Sequence, residues 1–461
     1  MLTSNKNGDV AKPAGVKPVQ FRRSLRIQDV ILFGVICVTP TAPIPLFGIM
    51  QKLSQGHGAT TVALAMLAML PTAFSYGRMA SRYPLAGSAY AYVAHGLHPN
   101  LGFLAGWATT LDYFLIPMTG VIYCAVTMHR VMSSIPYPLW AVVFAALATF
   151  LNLRGIRTGI RAQQAMLVVM IVVIVATVVL AFHYIWMRQG PSGLISTVPF
   201  YNPKLFDFRT IATATSFAAL TYIGFDAVTT LAEEVENSSG VMVRATVWVC
   251  LITGSVSVLL VYLGQLVWPS YQSFSDFDTA FLDVSQRIGG SGLFTAMVVV
   301  LTLATFGAAL TGQAGAARVL LGMGRTGAIP QFPFAHLNAR TLQPSYNVCL
   351  VGLLVLVGAL AMNFEQAGEL LNFGAFLAFM GVNLAAMRVD LRDWRAQPTS
   401  WQWLPALIAL VGLLSCLGIW LSLPGSARRV GFIWMAVGII YQLVRTRGFR
   451  TRLGFALDER S

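Results

Sequence analysis

Between residues 28 and 446 the sequence returns twelve times to an apolar run of roughly twenty residues, the length that carries a helix across a bilayer. The runs lie near 28–52, 59–80, 100–128, 136–151, 162–187, 209–232, 243–268, 290–322, 345–363, 367–388, 402–422 and 429–446. A chain that threads lipid so often must satisfy its backbone inside each helix or inside a closed barrel, because no water is there to do it. Composition agrees. Hydrophobic residues make up 56% of the chain and charged residues only 10%, outside the balance of a soluble domain. The expected fold class is all-α integral membrane, with one domain over 28–446 between polar tails at 1–27 and 447–461.

The first run is too long for a signal-peptide core and is not followed by an A-x-A cleavage site, so it is expected to stay in the mature chain. Twelve spans put both termini on one side. With the N-terminus inside, 23 of the 31 Lys and Arg fall on the cytoplasmic side and 8 on the other, as the positive-inside rule requires. The net charge of +14 is thereby accounted for by topology. A nucleic-acid partner would instead want its bases gathered on one module. Cys37, Cys124, Cys250, Cys349 and Cys416 all sit in apolar runs, a placement that suits packing and not a disulfide framework or metal site. The match GMGRTG at 322–327 follows a span instead of a strand and so does not read as a dinucleotide loop. The sequon at 237–239 falls on the cytoplasmic side, and no Walker A pattern occurs. No cofactor or metal is implied.

Two spans carry helix breakers. The first holds TPTAPIP at 39–45, three prolines in an apolar run, and the sixth holds Tyr222-Ile223-Gly224-Phe225-Asp226. If spans one to five and six to ten are inverted repeats, the two breaks occupy matching first positions, which points to a binding site at the bilayer midplane. Spans eleven and twelve are then peripheral. The segment 82–98, RYPLAGSAYAYVAHGLH, is too polar to span and reads as a short amphipathic helix at the cytoplasmic interface that helps to close an inner gate.

Ionisable groups inside spans carry the functional signal. Asp112 and Asp226 each cost about 2.5–3.5 kcal/mol at a helix centre on insertion scales, and such groups usually mark a site. A structural aspartate capping the half-helix that restarts after Gly224 is the alternative for Asp226. Asp112 has a rim position as its alternative. Glu233 and Glu234 fit an inner gate or a solvated helix end. Tyr113, Tyr222, Phe225 and Phe47 offer faces to a cationic ligand, although each also suits a packed core. Pro40, Pro43 and Pro45 lack N–H groups and release carbonyls, while Thr39 and Thr41 still donate. A site with many acceptors and few donors favours an amine without a carboxylate, and two acids favour a diamine.

The chain also resembles the amino acid–polyamine–organocation (APC) superfamily of transporters over nearly its whole length. The motifs are YGRMASRYPLAGSAYAYV with GFLAGW after span two, FAALTYIGFDAVTTLAEE in span six, and ARVLLGMGRTGAIPQF with LQPSYN after span eight. Within that superfamily it is most similar to bacterial putrescine importers, which are proton/putrescine symporters, through TPxxxxxxFG, LDYxxxPM and GFDAVTTLxEE. The resemblance implies a five-plus-five inverted-repeat (LeuT-like) core, an inner-membrane location and proton-coupled uptake of putrescine by alternating access. It points to Tyr113 as a substrate contact and to Asp226 as a central-site residue, with Asp226 the candidate for proton coupling. The chain departs from its relatives in three places. NSSGVMVRAT after span six lacks the usual prolines, the first helix lacks the Gly-x-Gly of amino-acid carriers, and span five has no lysine. The expected partners are a small amine, a proton and the bilayer. An amino-acid importer or amine/amino-acid exchanger, a transport-inactive substrate sensor and an ion channel are the rival readings.

Overall fold

The computed structural model describes residues 25–85, 88–155, 160–235, 238–325, 329–338, 341–396, 401, 403–446 and 448. The tails at 1–24 and 449–461, residues 326–327 of the glycine-rich match and residue 237 of the sequon lie outside them.

The described chain is helical throughout: α1 (Ile27–Val38), α2 (Pro43–Leu53), α3 (Gly58–Arg82), α4 (Ser88–Gly96), α5 (Pro99–Val131), α6 (Tyr137–Leu153), α7 (Ile160–Gln189), α8 (Phe208–Ala218), α9 (Ser238–Val267), α10 (Ala280–Arg325), α11 (Gln331–Phe334), α12 (Ser345–Ala361), α13 (Phe364–Ala396), α14 (Leu404–Leu421) and α15 (Gly425–Arg445). Among the described residues, nine stretches are long and apolar enough to cross a membrane singly, and α1 with α2 forms a tenth that is bent by 55°. At the places of the fourth and ninth expected spans stand α6 and α12, apolar but only 17 residues long, so length and composition do not reach the count of twelve.

Pairing between helices follows the expected repeat. The sixth span runs from α8 through Leu231. The second span packs along the seventh (α3 on α9), the third along the eighth (α5 on α10) and the fourth along the ninth (α6 on α12). The first span meets the sixth through α1 and the segment Phe225–Leu231. Elements five spans apart that touch in this way are what two repeats related by a two-fold axis produce. The last two helices sit outside: α15 packs on α13 and α5, and its Ile433, Val437 and Ile440 are exposed as lipid-facing residues would be.

The structure alters two expectations. The eighth span was expected to start near 290. Gly290, with φ of 60°, instead joins an additional helical segment, 280–289, to the span proper. Within 82–98, Ser88–Gly96 forms a helix, α4, that is sunk by one face into the protein while His95 stays exposed. Ala89, Tyr92 and Val93 are buried, and the helix is wedged between α5 and α13.

We call the face bearing the ends of α1 and α15 the terminal face, and the opposite one the far face. On the terminal face Leu25 pairs with Val235, and the Leu25 N–H donates to the Glu234 carbonyl at 3.1 Å. This strap ties the start of the first span to the end of the sixth.

At the crossing of the two breaks Gly224 holds φ of 111°, and a Cβ there would meet the Cys37 carbonyl oxygen at 3.0 Å. Both backbone conformation and space select glycine. Gly224→Ala is expected to destabilise the fold by about 1–3 kcal/mol, read as a lowered unfolding midpoint in detergent. An unchanged midpoint would show that the two breaks do not cross as described.

Candidate functional site

The first break is built by its prolines. The α1 helix ends at Val38, Thr39 turns to φ of 60°, and α2 restarts with Pro43 at its first position, where a missing N–H costs nothing. The freed carbonyls are fewer than the sequence led us to expect. The Thr39 carbonyl accepts from Ala42 N–H and the Thr41 carbonyl from Ile44 N–H, both at 3.0 Å, because a tight turn supplies i+3 donors where proline removed the i+4 ones. Only the Ile36 carbonyl, opposite Pro40, loses its i+4 donor through a proline without such a replacement at this turn. Of the three carbonyls opposite prolines two are re-paired, while the carbonyls of Ile36, Cys37 and Val38 at the end of α1 accept no backbone N–H from the turn.

In the sixth span α8 tightens into a 3₁₀ turn at Ala219–Tyr222, reverses at Gly224 and restarts as 3₁₀ from Phe225 to Leu231. Asp226 lies in the first turn of that second piece. Its carboxylate is turned toward the backbone N–H groups of Gly224, Ala227 and its own residue, as an acid at a helix start does. The capping alternative is therefore part of its geometry.

Asp112 reaches the same region from α5. Its Oδ1 is buried, has no hydrogen-bond partner among the described residues, and points at Gly374 of α13, where a Cβ would come within 2.7 Å of it. Only glycine lets α13 approach this closely. The two aspartates lie within electrostatic range of each other, and no cationic side chain among the described residues is in range of either. A buried acceptor without a donor, beside a second acid, is a place for a cation.

Tyr113 lies in range of both acids with its ring against Gly315 of α10, yet 41% of its surface is open. Thr39 lies at the first break and is half-buried, while Thr41 is buried. The other aromatic candidates are taken up by packing. The Tyr222 hydroxyl donates to the Val62 carbonyl at 2.9 Å, Phe225 stands edge-on to Tyr76 at 5.5 Å, and Phe47 stands edge-on to Phe281 at 5.2 Å. Glu233 and Glu234 flank the terminal-face strap and lie away from the acids.

Sequence reasoning missed Tyr76 of α3 and Tyr92 of α4. Both are fully buried, stand edge to face at 6.1 Å and lie in range of Asp226, so α4 covers the site from the terminal side. The aromatic residues within 82–98 were the available signal. Among the described residues no group of three or more metal-ligating side chains gathers, and the five cysteines are free. A cleft of about 520 Å³ lies at the terminal ends of α3, α9 and α13, lined by Arg78, Arg82, Arg244 and Asp390, and shares no lining residue with this site.

The family profile described as amino acid permease matches residues 35–430. The low-affinity putrescine importer PlaP of Escherichia coli is 30% identical over 94% of this chain and 95% of its own. The branched-chain amino acid permease BcaP of Lactococcus lactis is 24% identical over 91% and 93%. Among solved structures, a manganese transporter of Eremococcus coleocola superposes with a TM-score of 0.56 at 14% identity, covering 94% of this chain and 98% of that one, and so shares the fold.

The geometry separates open from packed candidates. In a cysteine-free background, Tyr113→Cys is expected to react with a small cationic thiosulfonate at least about ten-fold faster than Phe225→Cys or Tyr222→Cys. Equal rates, followed by mass spectrometry, would contradict the placement of Tyr113.

Proposed function

The chain belongs to the amino acid permease family of the APC superfamily, and from that premise we propose that it imports putrescine or a closely related aliphatic diamine. It is a multi-pass membrane transporter and not an enzyme. One observation carries the substrate reading: two carboxylates, Asp112 and Asp226, face one region of the membrane interior without a cationic side chain to balance them. An α-amino acid brings its own carboxylate and needs free donors. The first break offers few, and the amides at the second already face the Asp226 carboxylate. A diamine brings two cations and no anion.

In this reading one ammonium replaces the missing donor at Asp112 Oδ1 and the other meets Asp226, while Tyr113 covers the methylene chain. Contact between an ammonium and an aromatic face adds about 0.5–2 kcal/mol. Thr39 and Thr41 line the first break. The 30% identity to a putrescine importer over most of both chains supports the choice, and the branched-chain permease among the relatives keeps amino-acid uptake as the rival. We place the protein in a bacterial inner membrane with the terminal face cytoplasmic, following the charge count. Glu233 and Glu234 then sit beside the strap that must open for release.

A dication entering against a negative interior gains about 2 × 2.3 kcal/mol per 100 mV. Voltage alone can drive accumulation, and a proton adds to it if Asp226 carries one while the substrate is absent. Uptake into proteoliposomes with voltage and pH gradient set independently separates the two. Stimulation by an inward proton gradient at zero voltage is expected, and its absence would remove the proton from the cycle.

Asparagine caps a helix start nearly as well as aspartate. Asp226→Asn is therefore expected to keep expression and thermal stability while lowering labelled putrescine uptake at least about 100-fold, the loss of a buried charge contact. Uptake at the wild-type rate would leave Asp226 as a cap only.

A further inference from the structure

On the far face, negative charge gathers that the central site does not use. Lys52, in the last turn of α2, pairs with Glu365 in the first turn of α13 at 3.1 Å, and its ammonium lies 5.8 Å from the centre of the Phe277 ring. The loop between α9 and α10 brings Asp276 and Asp278 into the same neighbourhood. Asp276 is satisfied locally, accepting from Asp278 N–H at 3.1 Å and from the Thr279 hydroxyl at 2.8 Å. Arg130 is engaged elsewhere, with Asp283 at 2.7 Å. Among the described residues Lys52 is thus the cation that faces Asp278, Glu365 and Glu369 together.

Glu369 sets this cluster apart from an ordinary solvated rim. It is one helical turn beyond Glu365, only 5% exposed, within electrostatic range of Glu365 and Lys52, and without a hydrogen-bond or ion-pair partner among the described residues. A carboxylate set this deep without a donor, whose oxygens are nevertheless not sealed off, is a place a cation can reach. Position along α13 adds a direction. Gly374, where α13 touches Asp112 Oδ1, lies five residues on, roughly 8 Å along the helix axis. Glu365, Glu369 and Asp112 therefore mark successive depths from the far face to the central acids.

We propose that Glu365, Glu369 and Asp278 form an entry site for diammonium substrates, at which a substrate ammonium displaces Lys52 from Glu365 and settles on Glu369 before passing inward. The inference rests on the diamine reading above and on the far face being the outer one. It also makes the Lys52–Glu365 pair a competitor of the substrate, so that arrival of the dication loosens the tie between α2 and α13.

The loop acid makes this entry step sensitive to outer pH. Burial, with Asp276 and Glu365 beside it and Lys52 opposing, raises the Asp278 carboxyl to about 6. The other ionisable groups facing it are the phenols of Tyr123 on α5 and Tyr137 on α6, which stay neutral at these pH values. A carboxylate titrating near 6 is charged above that pH and protonated below it. The Asp278 share of the attraction for a dication is therefore nearly full at pH 7 and falls as the outer pH drops toward 5.

The test measures uptake of labelled putrescine and of n-butylamine by the purified protein in proteoliposomes at fixed voltage. Glu369→Gln and Glu365→Gln are expected to raise the putrescine KM about ten-fold, with a much smaller effect on the monoamine, as lost steering of a doubly charged ligand predicts. Lys52→Met should move KM the other way, down about three-fold, a gain that misfolding cannot imitate. Lowering the outer pH from 7 to 5 should raise the wild-type KM, and Asp278→Asn should weaken that dependence. If Lys52→Met and Glu365→Gln shift KM in the same direction, the pair is only a latch and the entry site is overturned. Unchanged KM in the Glu369 and Glu365 variants overturns it too. Absence of putrescine uptake by the wild type would instead sink the diamine reading, and the entry site with it.

Discussion

The structure turns on the cost of leaving a charge or a backbone group without a partner where water is absent. An unbroken helix meets that constraint by itself, which is why most of the chain is long apolar helix. The first and sixth spans give it up at matching places, and each repairs part of what it breaks. The turn at Thr39–Ile44 re-pairs two of the carbonyls opposite prolines, and Asp226 faces the amides that Gly224 exposes. What is left over is a shortage of positive charge, concentrated at Asp112 and Asp226. The proposed function fills that shortage with the substrate.

The same shortage recurs at the far face in a weaker form. Lys52 pairs with Glu365 there and only partly offsets Glu369, so the far-face acids can hold a cation loosely while the central ones hold it without a competing side chain. A substrate with two ammonium groups suits such a gradient of acceptors better than one with a single charge, because it can keep one contact while exchanging the other.

Much of the architecture was legible in the sequence because membrane helices obey simple counting. The broken spans showed as prolines at 40, 43 and 45 and as Gly224, and the acids showed because ionised groups are rare in apolar runs. Side-chain direction was not legible. Tyr113 and Phe225 each adjoin an acid in the chain, yet one keeps an open face and the other is packed against Tyr76. The approach of Gly374 to Asp112, and of Tyr76 and Tyr92 to Asp226, depends on contacts between distant helices that periodicity does not encode. The repaired carbonyls at the first break were missed for a local reason: proline chemistry says which donor is lost, while the turn that replaces it depends on the Thr39 conformation.

The central claim is that Asp112 and Asp226 together hold the two ends of a diamine. Isothermal titration of the purified protein with putrescine, n-butylamine and leucine tests it most directly. The account predicts binding of putrescine, at least about 100-fold weaker binding of the monoamine that lacks one charge contact, and no detectable leucine binding. Leucine binding as tight as putrescine, or equal affinity for putrescine and n-butylamine, would contradict it.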